Sequence, residues 1–193
     1  MKLSDCNKCS LSKLQDSGFR RTQVVLGRGS PKYGIMFIGE APGEEEDKQG
    51  YPFVNSQPAG GMFDKILSNL ALNRGLVYTT NAVKCRPTQV GDRGPKNRAP
   101  SEIEIEECRP WLTMEIRKVK PKLIVVAGGV ALKSVLRVDG ISRHAGRLIK
   151  SKEFGCYIFP ILHPAAIVYD ETRKSKMKAN IVALRTAMRE IFR

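Results

Sequence analysis

Two runs with no polar side chain constrain this chain most: Ile35-Met36-Phe37-Ile38 and Leu123-Ile124-Val125-Val126-Ala127. Short, continuously apolar runs predict strands covered on both faces, as in a parallel sheet. Residues 77–83 and 157–162 predict two further strands. Helices are expected between them. Met62, Phe63, Ile66, Leu67 and Leu70 form one stripe at helical spacing. Ser101 and Glu104 make a capping box after Pro100, opening a helix that runs to about residue 119 and stops at Pro121. Residues 130–136 and a basic segment from about 176 to 192 predict two more. Strands alternating with helices imply an α/β fold, a parallel sheet with helices on both faces. Neither an internal repeat nor a linker divides the chain, so residues 1–193 are expected to form a single domain.

Parallel strands share one carboxyl edge, and ligands of open α/β sheets bind there. Three predicted strands end in polar turns. The first ends in Gly39-Glu40-Ala41-Pro42-Gly43, where Pro42 fixes φ and Gly43 relaxes it. Its backbone N–H groups have no ladder partner and are free to face a ligand. The acids 44–47 and Pro52-Phe53 follow, and the stretch also reads as an acidic solvated loop. The second strand runs through Asn81, and the fourth is followed at once by His163-Pro164. Glu40, Asn81 and His163 are therefore expected at one rim.

The net charge of +14 points to a polyanionic partner, nucleic acid first. No apolar run approaches the roughly 18 residues of a membrane span, and the N-terminus has no secretory h-region. A cytoplasmic, nucleoid-associated protein without a membrane partner is expected. Five cysteines, an odd number, argue against a disulfide framework. Cys6 and Cys9 form a C-x2-C pair that needs two more ligands, and Cys85 and Cys108, at the ends of predicted elements, can supply them. Zinc and an iron–sulfur cluster both accept such a set. Cys156 reads as a buried thiol. Residues 86–100, RPTQVGDRGPKNRAP, form a long basic loop. It reads equally as a solvated segment and as a phosphate contact through Arg93, Lys96 and Arg98.

Taken in order, GEAPGEEED, PFV, TNAVKCRP, CRPWL and HPAA resemble the uracil-DNA glycosylase superfamily, most of all its iron–sulfur family four. The resemblance implies an α/β/α sandwich around a four-stranded parallel sheet. It implies a [4Fe–4S] cluster on Cys6, Cys9, Cys85 and Cys108, and hydrolysis of the N-glycosidic bond of uracil in single- or double-stranded DNA, by a monomer. Glu40, Ala41 and Gly43 would border the uracil and its attacking water. Phe53 would stack on the flipped base, a contact worth about 1–3 kcal/mol. Asn81 would donate to O4 and accept from N3–H, a pattern that cytosine reverses. His163 would donate to O2 as the bond ionises. Glu46 and Asp47 would orient the water or hold the turn. Ile167 or Val168 would fill the gap left in the duplex.

The sequence departs from the family pattern in places. Ala41 stands where the best-known branch of the superfamily has its water-activating acid, an absence that family four shares. Tyr51 replaces the usual arginine, and Asn55-Ser56-Gln57-Pro58 is an insertion. The 22-residue interval from Cys85 to Cys108 is longer than usual. A second expectation is therefore a protein of the same fold that binds uracil-DNA but turns it over weakly or not at all. A third is a zinc-bound basic module.

Overall fold

The computed structural model describes residues 3–56, 58–167 and 170–193. In chain order the elements are β1 (Arg28–Gly29), β2 (Ile35–Gly39), α1 (Glu44–Gln49), α2 (Pro58–Asn69), β3 (Tyr78–Asn81), β4 (Thr88–Gln89) and β5 (Lys96–Asn97). These are followed by α3 (Glu102–Val119), β6 (Leu123–Ala127), α4 (Gly129–Leu136), α5 (Ile141–His144), β7 (Ile149–Ser151), β8 (Cys156–Ile161) and α6 (Glu171–Ile191). The main sheet has the order β1-β3-β2-β6-β8-β7. Its four central strands, β3, β2, β6 and β8, are parallel, as expected. Two short antiparallel strands extend it to six. The edge strands carry no apolar run: β1 is two exposed residues, and β7 is Ile-Lys-Ser.

Alternation along the strands builds two cores. Phe37, Val125 and Phe159 face Phe63, Ile66 and Leu67 of α2 and Met177 and Leu184 of α6. Met36, Ile38, Val126 and Ile158 face Leu112 and Ile116 of α3 and Leu132 and Val135 of α4. The sheet is thus the middle of three layers. Helix α3 opens on the Ser101–Glu104 capping box and ends at Lys120 in a left-handed conformation, just before Pro121.

Two expectations are corrected. The acids after Gly43 are not loop; they are the first turn of α1, where negative charge suits the helix dipole. Residues 55–61, NSQPAGG, read from the sequence as loop, yet helix α2 begins among them at Pro58, and Pro is well tolerated in a first turn. The basic segment 86–100 contains the small antiparallel pair β4–β5.

Candidate active site

Parallel register places the strand ends side by side. Gly39 pairs with Asn81, Ile38 with Val126, and Ala127 with Ile161. Chain continuation then brings Glu40 and His163 to the same rim. His163 packs on Gly128, whose φ of +94° suits glycine; a Cβ there would lie 3.1 Å from the His163 Cβ.

A cleft of about 680 Å³ opens at this rim, within the size range of small-ligand sites. Glu40, Ala41, Pro42 and Gly43 form one side of its lining, and His163 and Ala165 also border it. Asn97 and Arg98, from the segment containing β4 and β5, contribute too. Arg98 is among the basic side chains expected to meet phosphate, whereas nothing in the sequence marks Asn97 as a cleft residue. Arg86 holds Asn97 in place, its Nε donating to Oδ1 at 2.7 Å. Arg98 is committed to Glu104 through two hydrogen bonds of 2.7 and 2.8 Å, which leaves Arg93 and Lys96 as the exposed basic side chains of that segment.

Asn81 and Phe53 are not part of that lining; they are buried, 3% and 5% exposed. They meet over Gly39: a Cβ at that position would fall 2.4 Å from Asn81 Oδ1 and 2.8 Å from Phe53 Cζ. Phe53 stacks on Phe63 with ring centroids 4.3 Å apart. Its φ is +55°, a conformation costly for a bulky residue, which persists only where its surroundings enforce it. Glu46 supplies part of that enforcement. One carboxylate oxygen accepts from the Phe53 N–H and the other from the Gly43 N–H at 2.7 Å. Glu46 therefore ties both ends of the turn together, and burial raises its pKa against those hydrogen bonds. Asp47, fully buried, accepts from the Thr22 N–H and anchors the N-terminal segment to α1.

Asn81 Nδ2 is a buried donor with no hydrogen-bond partner among the described residues. It lies near enough to Glu46 to ease that carboxylate's charge, without a hydrogen bond of acceptable geometry. Leaving such a donor unmade costs about 1–3 kcal/mol, so the arrangement favours a ligand acceptor. His163 is set up as a donor. Its Nδ1 accepts from the Ala165 N–H at 3.2 Å, which leaves the proton of the neutral ring on Nε2. Burial lowers its pKa and favours that neutral form. Burial raises the pKa of Glu40, whose carboxyl makes no hydrogen bond among the described residues.

Ile167 ends the short 3-10 turn Pro164–Ile167, which packs against α2 and α6. Val168 lies outside the described residues.

A second cluster lies off the rim. Cys6, Cys9, Cys85 and Cys108 line one enclosed pocket together with Leu11, Val24 and Val83, and Trp111 belongs to the same buried cluster. The Arg21 guanidinium donates to Cys85 Sγ at 2.9 Å, and the Lys84 N–H donates to Cys108 Sγ at 3.3 Å. Burial pushes the Cys85 thiol up to about 11 and the Cys108 thiol up to about 12. Four thiols converging in an apolar pocket, two of them receiving N–H donors, suit a cationic metal group that would ionise them. Among the described residues, no three His, Cys, Asp or Glu side chains are grouped to hold a single metal ion. Cys156 stands apart, buried at the start of β8.

Residues 26–184 match the family model of the uracil DNA glycosylase superfamily. The type-4 uracil-DNA glycosylase of Sulfurisphaera tokodaii is 38% identical over 93% of this chain and 79% of its own length. That of Thermotoga maritima is 34% identical over 90% of this chain and 83% of its own. The type-5 enzyme of Pyrobaculum aerophilum is 29% identical over 73% of this chain and 67% of its own length. By the extent and identity of these matches, the chain belongs to the uracil-DNA glycosylase superfamily, and within it to the type-4 family.

Proposed function

We propose that this protein hydrolyses the N-glycosidic bond of uracil in DNA, releasing the base and leaving an abasic site for base-excision repair. One observation carries the reading: the unpartnered Asn81 amide and the His163 ring, its neutral form carrying the proton on Nε2, sit at one sheet rim. An extruded uracil presents O4 and N3–H to Asn81 and O2 to His163. The amide then donates to O4 through Nδ2 and accepts from N3–H through Oδ1. Cytosine, with a donor at position 4 and a bare N3, leaves both groups mispaired. Phe53, fixed against Phe63, backs the base.

Bond breaking moves negative charge onto the uracil ring. The Nε2–H of His163 meets that charge at O2, and a donor already in place needs no reorganisation. The neutral imidazole suffices, because the step needs a hydrogen bond and no proton transfer. Ala41 offers no acid to activate water. The Glu40 carboxylate borders the cleft without a protein hydrogen bond among the described residues and is placed to orient the water that attacks the sugar. Glu46 holds the turn. Ile167 and Val168 are proposed to enter the duplex, and Arg93 and Lys96 to meet phosphates.

Cys6, Cys9, Cys85 and Cys108 would hold a [4Fe–4S] cluster. When bound, that group supplies a covalent tie between the N-terminal segment, the end of the Asn81 segment and α3. The protein is proposed to act as a monomer, within the cytoplasm, on single- or double-stranded DNA.

The test is a labelled oligonucleotide with one uracil, single-stranded or paired, incubated with iron-replete protein and then treated with alkali. Strand cleavage at the uracil, and none at thymine or cytosine, is expected. No cleavage above a mock reaction overturns the reading, and tight binding without release would make the protein a uracil-DNA binder.

A further inference from the structure

A buried charge with no place in the cleft lies just beyond the end of β3. Lys84 is 1% exposed, lies on no helix or strand and forms no part of the cleft lining. Its ammonium has three hydrogen-bond partners: Thr80 Oγ1 and Glu115 Oε2, each at 2.5 Å, and the backbone carbonyl of Asn81 at 2.7 Å. Glu115, on α3, in turn accepts from the hydroxyls of Tyr78 and Thr80. Burial and the adjacent Glu115 carboxylate keep the Tyr78 phenol protonated, far above its ordinary range. The ammonium uses all three of its donors and the network contains no unpaired charge.

A lysine with no solvent access is expensive to bury, and its ion pair is poor ground for stability. Its position suggests another role. From Lys84 the chain turns back so that the ammonium reaches its own strand end, three residues earlier. It fixes the carbonyl of the residue whose side chain faces the base. The same α3 that supplies Glu115 also supplies Cys108, seven residues or two turns earlier, and Cys108 Sγ receives the Lys84 N–H. Helix α3 therefore grips the short segment 81–85 at two points, through the ammonium and through the backbone. That segment carries Asn81 at one end and Cys85 at the other.

We propose that Lys84, with Glu115 as its counter-charge, is a positioning residue for base recognition: it locks the backbone of Asn81 so that the amide meets the uracil edge in one orientation. This rests on the uracil-excising reading given above. Lys84 touches no substrate and acts only through Asn81. Release of the carbonyl lets the Asn81 backbone rotate, and an error near 1 Å at a reacting group costs on the order of 100-fold in rate.

The test compares the iron-replete wild type with the double variant Lys84→Met/Glu115→Gln, which removes both charges, keeps the volumes and leaves an amide oxygen for Tyr78 and Thr80. The variant is expected to retain its iron content and its absorbance near 400 nm. Its kcat on a single-uracil oligonucleotide should fall about 100-fold with KM for DNA unchanged, and inhibition by free uracil should weaken about tenfold. A merely structural role would lower the melting temperature and the active fraction but leave uracil inhibition of the surviving enzyme unaltered; that result overturns the proposal, as does an unchanged kcat. Should the double variant not fold, Glu115→Asp keeps both charges while drawing the ammonium away from the Asn81 carbonyl. It must then show the same loss of uracil inhibition, and wild-type inhibition in it refutes the role. Failure of the wild type to release uracil would instead refute the underlying reading.

Discussion

Gly39→Ala is the smallest change that should disable the site without removing a polar group. A Cβ on Gly39 would stand 2.4 Å from Asn81 Oδ1, where ordinary contact begins at 3.4 Å, so the amide must retreat by about 1 Å. It would also stand 2.8 Å from Phe53 Cζ. Neither neighbour gives way easily. Asn81 is 3% exposed and held through its carbonyl. The Phe53 ring is stacked on Phe63, which meets Phe37 edge-on. Overpacking of this kind costs about 1–3 kcal/mol, which for a chain of this size lowers the melting temperature by roughly 2–4 °C per kcal/mol. The catalytic loss should be larger, on the order of 100-fold in kcat/KM, because the 1 Å displacement falls on the group that reads the base. Single-turnover excision on a one-uracil oligonucleotide measures the rate, and thermal unfolding of the same preparation measures the stability cost. Wild-type rates in a protein carrying this alanine would refute the claim that Asn81 and Phe53 meet over Gly39 to form the reading surface.

Further outcomes follow from the same geometry. Excision should persist below pH 6.5, because burial keeps the folded His163 imidazole neutral where a free one is already half protonated. It should collapse once the ring finally takes up a proton, since Nδ1 must then give up the Ala165 N–H. Over that window the unfolded chain binds more protons, so stability also declines with acidification from about 6.5 downward; a pH–rate profile midpoint above 6.5 would contradict the burial. Glu46→Gln keeps one acceptor oxygen but sets an amide NH2 against the second backbone N–H. It should cost about 1.5–3 kcal/mol by denaturant unfolding, and an unchanged midpoint would show that the turn is held otherwise. Cys108→Ser should lower bound iron and absorbance near 400 nm, whereas Cys156→Ser should leave both intact; equal effects would dissolve the four-cysteine set.

Much of the architecture was legible because its central strands are short, wholly apolar runs. Residues 123–127 were bounded as observed, and the capping box placed the start of α3 correctly. The edge strands were not legible, since a pair as short as Arg28-Gly29 carries no hydrophobic period and owes its state to β3. The acids after Gly43 look like loop because nothing apolar marks a helix there; α1 is held by its tie through Glu46 and by Asp47, contacts set by distant neighbours. At the site, polar residues ending parallel strands could be read out as a rim, and Glu40, Asn81 and His163 come to it. Asn97 gave no local signal, for its place depends on Arg86 and on the fold of the β4–β5 segment. Lys84 was equally silent: a lysine beside a cysteine reads as surface until α3 buries it against Glu115.

A crystal structure of the protein with free uracil tests the central claim most directly. The base should lie at the strand rim beside Phe53, with Asn81 within hydrogen-bond reach of both O4 and N3 and His163 Nε2 within reach of O2. Uracil bound elsewhere, or contacting His163 while Asn81 faces away, would contradict it.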